Sequence, residues 1–97
     1  MSDEFRELFE RHVGYVVAGD IKAALADMVP ERIPAVFEGV TVPGGEVTDA
    51  RIVDVRRDGE TWIGEAVYET PNGPVGLRSI WILHEGAWKA NALENFS

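Results

Sequence analysis

The run from Thr61 to Phe96 constrains this chain more than any other stretch. It reads TWIGEAVYETPNGPVGLRSIWILHEGAWKANALENF, three segments rich in Val, Ile, Leu, Trp and Tyr, side chains that suit a pleated, packed surface. Thr-Pro-Asn-Gly-Pro at 70–74 and His-Glu-Gly-Ala at 84–87 separate the segments, and Arg57-Asp58-Gly59-Glu60 joins them to a fourth run upstream. Short turns between such runs predict an antiparallel meander. All three tryptophans fall inside it.

Period-two alternation assigns the faces. In 61–69, Trp62, Gly64, Ala66 and Tyr68 share one side, and Ile63 and Val67 the other. In 75–84, Val75, Leu77, Trp81 and Leu83 oppose Ile80 and Ile82. In 87–96, Trp88, Ala90, Ala92 and Phe96 oppose Ala87 and Leu93, and upstream Ala50 and Ile52 oppose Val53 and Val55. A sheet with one wet face alternates apolar with polar residues; this one is apolar on both. Helices before residue 38 can cover one face only. The other predicts a partner, most economically a second copy related by a two-fold axis through the outer face.

Those helices are legible as well. Phe5, Leu8, Phe9, His12, Val13, Val16 and Val17 form one stripe over residues 3–18, the helical period. Ser2 or Asp3 caps its start and Gly19 its end. Asp20 caps a second helix, IKAALADM, with Ile21, Ala24, Leu25 and Met28 on its inner side, and Pro30 closes it. PERIPAVF predicts one further helical turn, with Ile33, Val36 and Phe37 inward. Val40–Val42 reads as a short strand and Pro43-Gly44-Gly45 as a loop tip. The pair of glycines lacks the lysine and the spacing of a phosphate loop.

Ninety-seven residues, 45% apolar and 27% charged, predict one α+β domain over 1–97, with helices at about 3–37 and a sheet at about 40–96. No apolar run reaches the roughly 18 residues of a membrane span, and the charged N-terminus lacks a signal-peptide core, so a cytoplasmic location is expected. The absence of cysteine removes disulfides and thiolate sites. His12 and His84 belong to no spaced ligand motif, so neither metal nor cofactor is expected. A net charge of −8 repels phosphate backbones and anionic headgroups, which argues against nucleic acid and membrane.

The order is a long helix, a short helix, a proline-bounded turn and a sheet ending in a tryptophan strand. With YVVAGDIKAALADMVP at 15–30 and GLRSIWILHEGAWKANALEN at 76–95, the chain resembles the nuclear transport factor two-like superfamily. The small SnoaL-like polyketide cyclases and the ketosteroid isomerases belong to it. The AGD junction and HEGAWKANAL carry most of the resemblance, which spans nearly the whole chain. It implies a cone-shaped, cystatin-like or SnoaL-like fold, helices lying across a curved antiparallel sheet around a mostly apolar pocket. It also implies pairing through the outer sheet face. In the isomerases a first-helix Tyr and a protonated Asp hold an oxyanion while another Asp carries the proton. Tyr15 corresponds to the tyrosine and Glu38 lies near the base. At the third position this chain has Ser79 and Ile80, so the set is incomplete.

The candidate catalytic residues are therefore Glu38, Tyr15 and His12, each with a plainer reading. Glu38 is also a solvated turn residue and Tyr15 a core tyrosine with its hydroxyl at the rim. His12 is also a hydrogen-bonded ring at the core edge, although histidine titrates near neutral pH and can carry a proton. Phe9, Trp62, Arg78, Trp81 and Asn91 are candidate ligand contacts. The aromatic ones are equally core packing, Arg78 equally an ion-pair partner, and Asn91 equally solvent-facing. The reading adopted is a dimeric domain binding a small apolar ligand between helices and sheet, without a complete catalytic set. Two alternatives stand beside it: an acid–base enzyme of the cyclase or isomerase type using Glu38, Tyr15 and His12, and a protein-interaction module using the outer sheet face.

Overall fold

The computed structural model describes residues 2–43 and 46–96. Helix α1 (Ser2–Ala18) and helix α2 (Ile21–Ala26) precede two 3-10 turns, Pro30–Arg32 and Ala35–Phe37. Strands β1 (Asp49–Asp58), β2 (Thr61–Thr70), β3 (Gly73–His84) and β4 (Ala87–Asn95) follow. The strands form one open antiparallel sheet in the order β1-β2-β3-β4, so the fold is α+β and the meander is as the turn sequences predict. Gly59, Gly73 and Gly86 take positive φ in the three turns, a conformation that a Cβ disfavours.

Gly19 ends α1 in the left-handed region, with φ 76°. Its amide donates to Val16 O at 3.1 Å and the Asp20 amide to Tyr15 O at 2.9 Å, which satisfies carbonyls that the helix end leaves unpaired. Asp20 caps α2 through Oδ1, which accepts from the Ala23 amide at 3.2 Å, an interaction typically worth about 1 kcal/mol. The cap expected at Ser2 or Asp3 and the tip at Gly44–Gly45 lie outside the described residues and side chains.

Helix α2 stops two residues earlier than its apolar pattern suggests. Met28 leaves it to form a parallel bridge with Ala90 of β4. The Val29 amide donates to Ala90 O at 2.9 Å, and the Ala90 amide donates to Asp27 O at 2.8 Å. The unpaired backbone groups of β4 are strong partners, and they replace one more turn of helix. Val40–Val42 is not a strand. Its backbone is held by one side chain: the Thr41 amide donates to Asn95 Oδ1 and Asn95 Nδ2 donates to Thr41 O, both at 2.8 Å. A carboxamide carries both a donor and an acceptor, and here it substitutes for a neighbouring strand.

Two β-bulges decide which residues meet the helices. On β1 the register slips between Ile52 and Asp54, so Val53 is the extra residue and Ala50, Ile52 and Val55 all pack against the core. Unbroken alternation places Val55 with Val53 on the opposite side. The second slip falls between Ile80 and Trp81, where Ile80 faces Ala92 and Trp81 faces Ala90, leaving Asn91 as the extra residue of β4. Past it, Leu93 joins the core-packed residues while Ala92 lies on the outer face with Ile80. Phe96 is outside as well, with Arg78 Cζ 5.4 Å from its ring centroid. Alternation predicts the reverse for all three, because a bulge removes one residue of phase.

The core is aromatic. Phe5 stacks on Trp62 with centroids 5.1 Å apart and meets Trp81 edge-on at 5.5 Å; Phe9 also meets Trp81 edge-on. Such pairs add about 0.5–1.5 kcal/mol beyond their buried area. Trp81 is fully buried, and its Nε1 donates to Ser79 Oγ at 2.7 Å, which gives the indole the acceptor it requires. The 3-10 turns add Val36 to this core, with Ile33 and Phe37 packed beside it.

Candidate functional site: a cavity between helices and sheet

A cavity of about 300 Å³ lies between the helices and the sheet. Helix α1 contributes His12 and Val16, one turn apart on the same side; α2 contributes Ala24 and Leu25; the sheet contributes Tyr68, Leu77 and Leu93. Leu93 arrives through the bulge at Asn91. Val42 also lines it, beside the Thr41 backbone that Asn95 holds. Ile21, Leu25 and Val42 remain 55%, 36% and 41% exposed at the rim. Large apolar side chains left in solvent around one opening are characteristic of interaction sites.

His12 is the polar centre of this wall. Its Nδ1 lies 3.0 Å from Asp27 Oδ2, and the two side chains are only 11% and 21% exposed. Trp81 meets the imidazole edge-on at 5.2 Å and Phe9 stacks on it at 6.5 Å, so the ring is fixed on both sides. A carboxylate oxygen only accepts, which places the proton of the neutral imidazole on Nδ1 and leaves Nε2 as an acceptor. Nε2 bonds to none of the described residues. Among them no side-chain nitrogen or oxygen is both closed to solvent and unpartnered, so Nε2 opens onto accessible space. Tyr68, 3% exposed, likewise has no partner for its hydroxyl among the described residues, and burial alone pushes its phenol pKa up.

Of the three candidate catalytic residues, His12 lines the cavity and the other two do not. Tyr15 is half-buried on α1, with its carbonyl closing the helix end. Glu38 is exposed, after the second 3-10 turn. Phe9, Trp62 and Trp81 belong to the aromatic core. Asn91 is the bulge residue, and its carbonyl accepts from Arg32 Nε at 3.1 Å.

Arg78 lies on the outer face in a rung of charge. Asp54, Glu65, Arg78 and Glu94 are register partners across all four strands. Arg78 Nε donates to Glu65 Oε2 at 2.5 Å and Nη1 to Glu94 Oε1 at 3.1 Å. Arg56 pairs with Asp54 at 2.8 Å and Glu65 at 3.2 Å. Glu65 is 7% exposed. The hydrogen bond from Arg78, helped by Arg56, holds its carboxyl below the ordinary glutamate range against the opposing effect of burial.

His84 lies at the far end of β3, its Nε2 3.3 Å from Glu31 and 3.7 Å from Glu85. A second hollow there, about 350 Å³, is bordered by His84, Glu85 and Lys89. Glu31 and Glu85 are 70% and 82% exposed, so water screens this cluster. The smaller hollow has the character of a ligand site, apolar walls with a few polar atoms.

Asp27, Tyr68, Leu77 and Leu93 complete the site. The inward side of Tyr68 and Leu77 follows from alternation; no local pattern signals Asp27, fifteen residues from the ring it holds. Among the described residues no helix is long and apolar enough to cross a membrane. No protein-family model, no curated protein and no solved structure matches this chain.

Proposed function

We propose that the domain binds a small, largely apolar molecule in the cavity between α1, α2 and the sheet, as a small member of the nuclear transport factor two-like superfamily. The cavity carries this reading. Its volume of about 300 Å³ stands at the lower end of the roughly 300–1,000 Å³ typical of ligand pockets, and such pockets combine apolar walls with few polar groups. The succession of α1, α2, proline-bounded turns and a meander supports the superfamily assignment, in which the sheet forms a cone around the ligand. Binding is favoured over isomerase-type chemistry because Tyr15 and Glu38 stand away from the lining. Pairing of two copies through the outer face belongs to the same proposal. It is supported by the row Ile63, Ile80 and Ala92, aligned by register beside the charged rung, in which Ile63 is buried and Ile80 and Ala92 are half-buried.

The test is a thermal-shift screen of small apolar compounds. A ligand at one hundred times its Kd stabilises the folded state by about 2.7 kcal/mol, which for a domain of this size raises Tm by on the order of 10 °C. Ala24→Phe fills the cavity and should abolish the shift. If no compound raises Tm while Ala24→Phe melts higher than the wild type, the cavity is a packing defect and the proposal falls.

A further inference from the structure

We infer that the ligand is a neutral alcohol whose hydroxyl donates a hydrogen bond to His12 Nε2. The inference rests on the reading of the cavity as a ligand site and adds the chemistry of what it selects. Asp27 fixes the imidazole with Nδ1 as donor, at 3.0 Å, so the nitrogen left for the cavity accepts rather than donates. The hydroxyl of Tyr68, a residue 3% exposed, has no partner among the described residues and, like Nε2, is not closed off from solvent; it is the second polar atom on the lining and can donate to the ligand's oxygen. A hydroxyl gives a proton to the first and accepts one from the second through a single oxygen, whereas a carboxamide does so with two separate polar groups and a larger desolvation cost in an apolar cavity.

The alternatives fit less well. No Lys or Arg lines the cavity, and the chain carries a net charge of −8, so a carboxylate or phosphate finds no counter-charge. A ketone accepts from Tyr68 and displaces water from Nε2 without replacing its hydrogen bond, and an unmet acceptor in an apolar site discriminates strongly. Asp27 is a positioning residue in this scheme. It acts only through the ring it orients.

Borneol and camphor test this directly, since they share one carbon skeleton and differ in an alcohol against a ketone. Titrations of the full chain at pH 8.5, on the neutral side of ordinary histidine titration, should give borneol the lower Kd by roughly 3- to 10-fold. Borneol should move the Nε2 resonance in the imidazole nitrogen spectrum toward the hydrogen-bonded side, and camphor, which strips water from this nitrogen, should move it the other way. Tyr68→Phe should weaken both compounds alike, because both offer an oxygen. Asp27→Asn should release the tautomer and shrink borneol's advantage. Camphor binding as well as borneol, or borneol leaving Nε2 unmoved, overturns the inference and leaves the cavity a ligand site. If neither compound binds and the screen above finds none that does, both readings fall together.

Discussion

Gly64 lacks a side chain at the place where Phe9 needs room. A Cβ there would lie 2.6 Å from two atoms of the ring, and Phe9 is 2% exposed with no free direction to retreat. Gly64→Ala should cost about 1–3 kcal/mol by overpacking, read as a fall in the denaturant midpoint without a change in slope. Glu65 predicts a pH dependence. Its folded pKa is depressed, so its contribution is present above the unfolded glutamate value and is lost as pH falls through the folded one. Arg78→Met should therefore lower Tm clearly at pH 7 and much less at pH 3; an equal loss at both would show that Arg78 acts through packing. Neither partnership is readable from local pattern. Glu65 and Arg78 are thirteen residues apart and His12 and Asp27 fifteen, and only the completed register and the end of α2 bring them together.

At the scale of elements, what is local was legible. The turns at 57–60, 70–74 and 84–87, the helix stop at Gly19 and the cap at Asp20 are decided by a few neighbouring residues, and each appears where its residues direct. The bulges at Val53 and Asn91 were not legible, because a count of alternating residues has no means of detecting a skipped phase. Asn91 is the consequential one. Deleting it should carry Ala90 straight on to Ala92 and leave Leu93 inward and Ala92 outward, whereas Leu93→Ala should enlarge the cavity by most of a leucine side chain. Losing that contact should cost about 2–5 kcal/mol and abolish ligand-induced protection. Thermal melts with and without ligand measure both effects; an unchanged melt for Leu93→Ala would mean that Leu93 does not pack inward past the bulge, and a deletion variant as destabilised as Leu93→Ala would mean that Asn91 is not the extra residue of β4. Val40–Val42 teaches a related lesson, since its strand-like composition is met by one carboxamide instead of a ladder.

The whole molecule presents two unlike sheet faces, one under the helices and one crossed by a charged rung between apolar rows. If two copies join through the second face, light scattering should give twice the protomer mass of 10.7 kDa. Two protomers of charge −8 repel each other at long range, so the pairing should strengthen as salt shortens the Debye length from about 30 Å at 0.01 M to 10 Å at 0.1 M. Ile80→Glu should give a monomer with unchanged circular dichroism. A protomer mass at all salt concentrations would leave the outer face solvated and remove the dimer from the proposal. The segment Asp27–Val29 has a double duty. By bonding to Ala90 it blocks part of the sheet's free border, where another chain could otherwise add a strand, and the same short length of chain carries the carboxylate that orients the His12 ring. Fraying at that border and loss of ligand selectivity are thus one event: conditions that speed amide exchange at Ala90 should also scramble the imidazole tautomer, and a partner strand that captured β4 would blind the cavity without ever touching it.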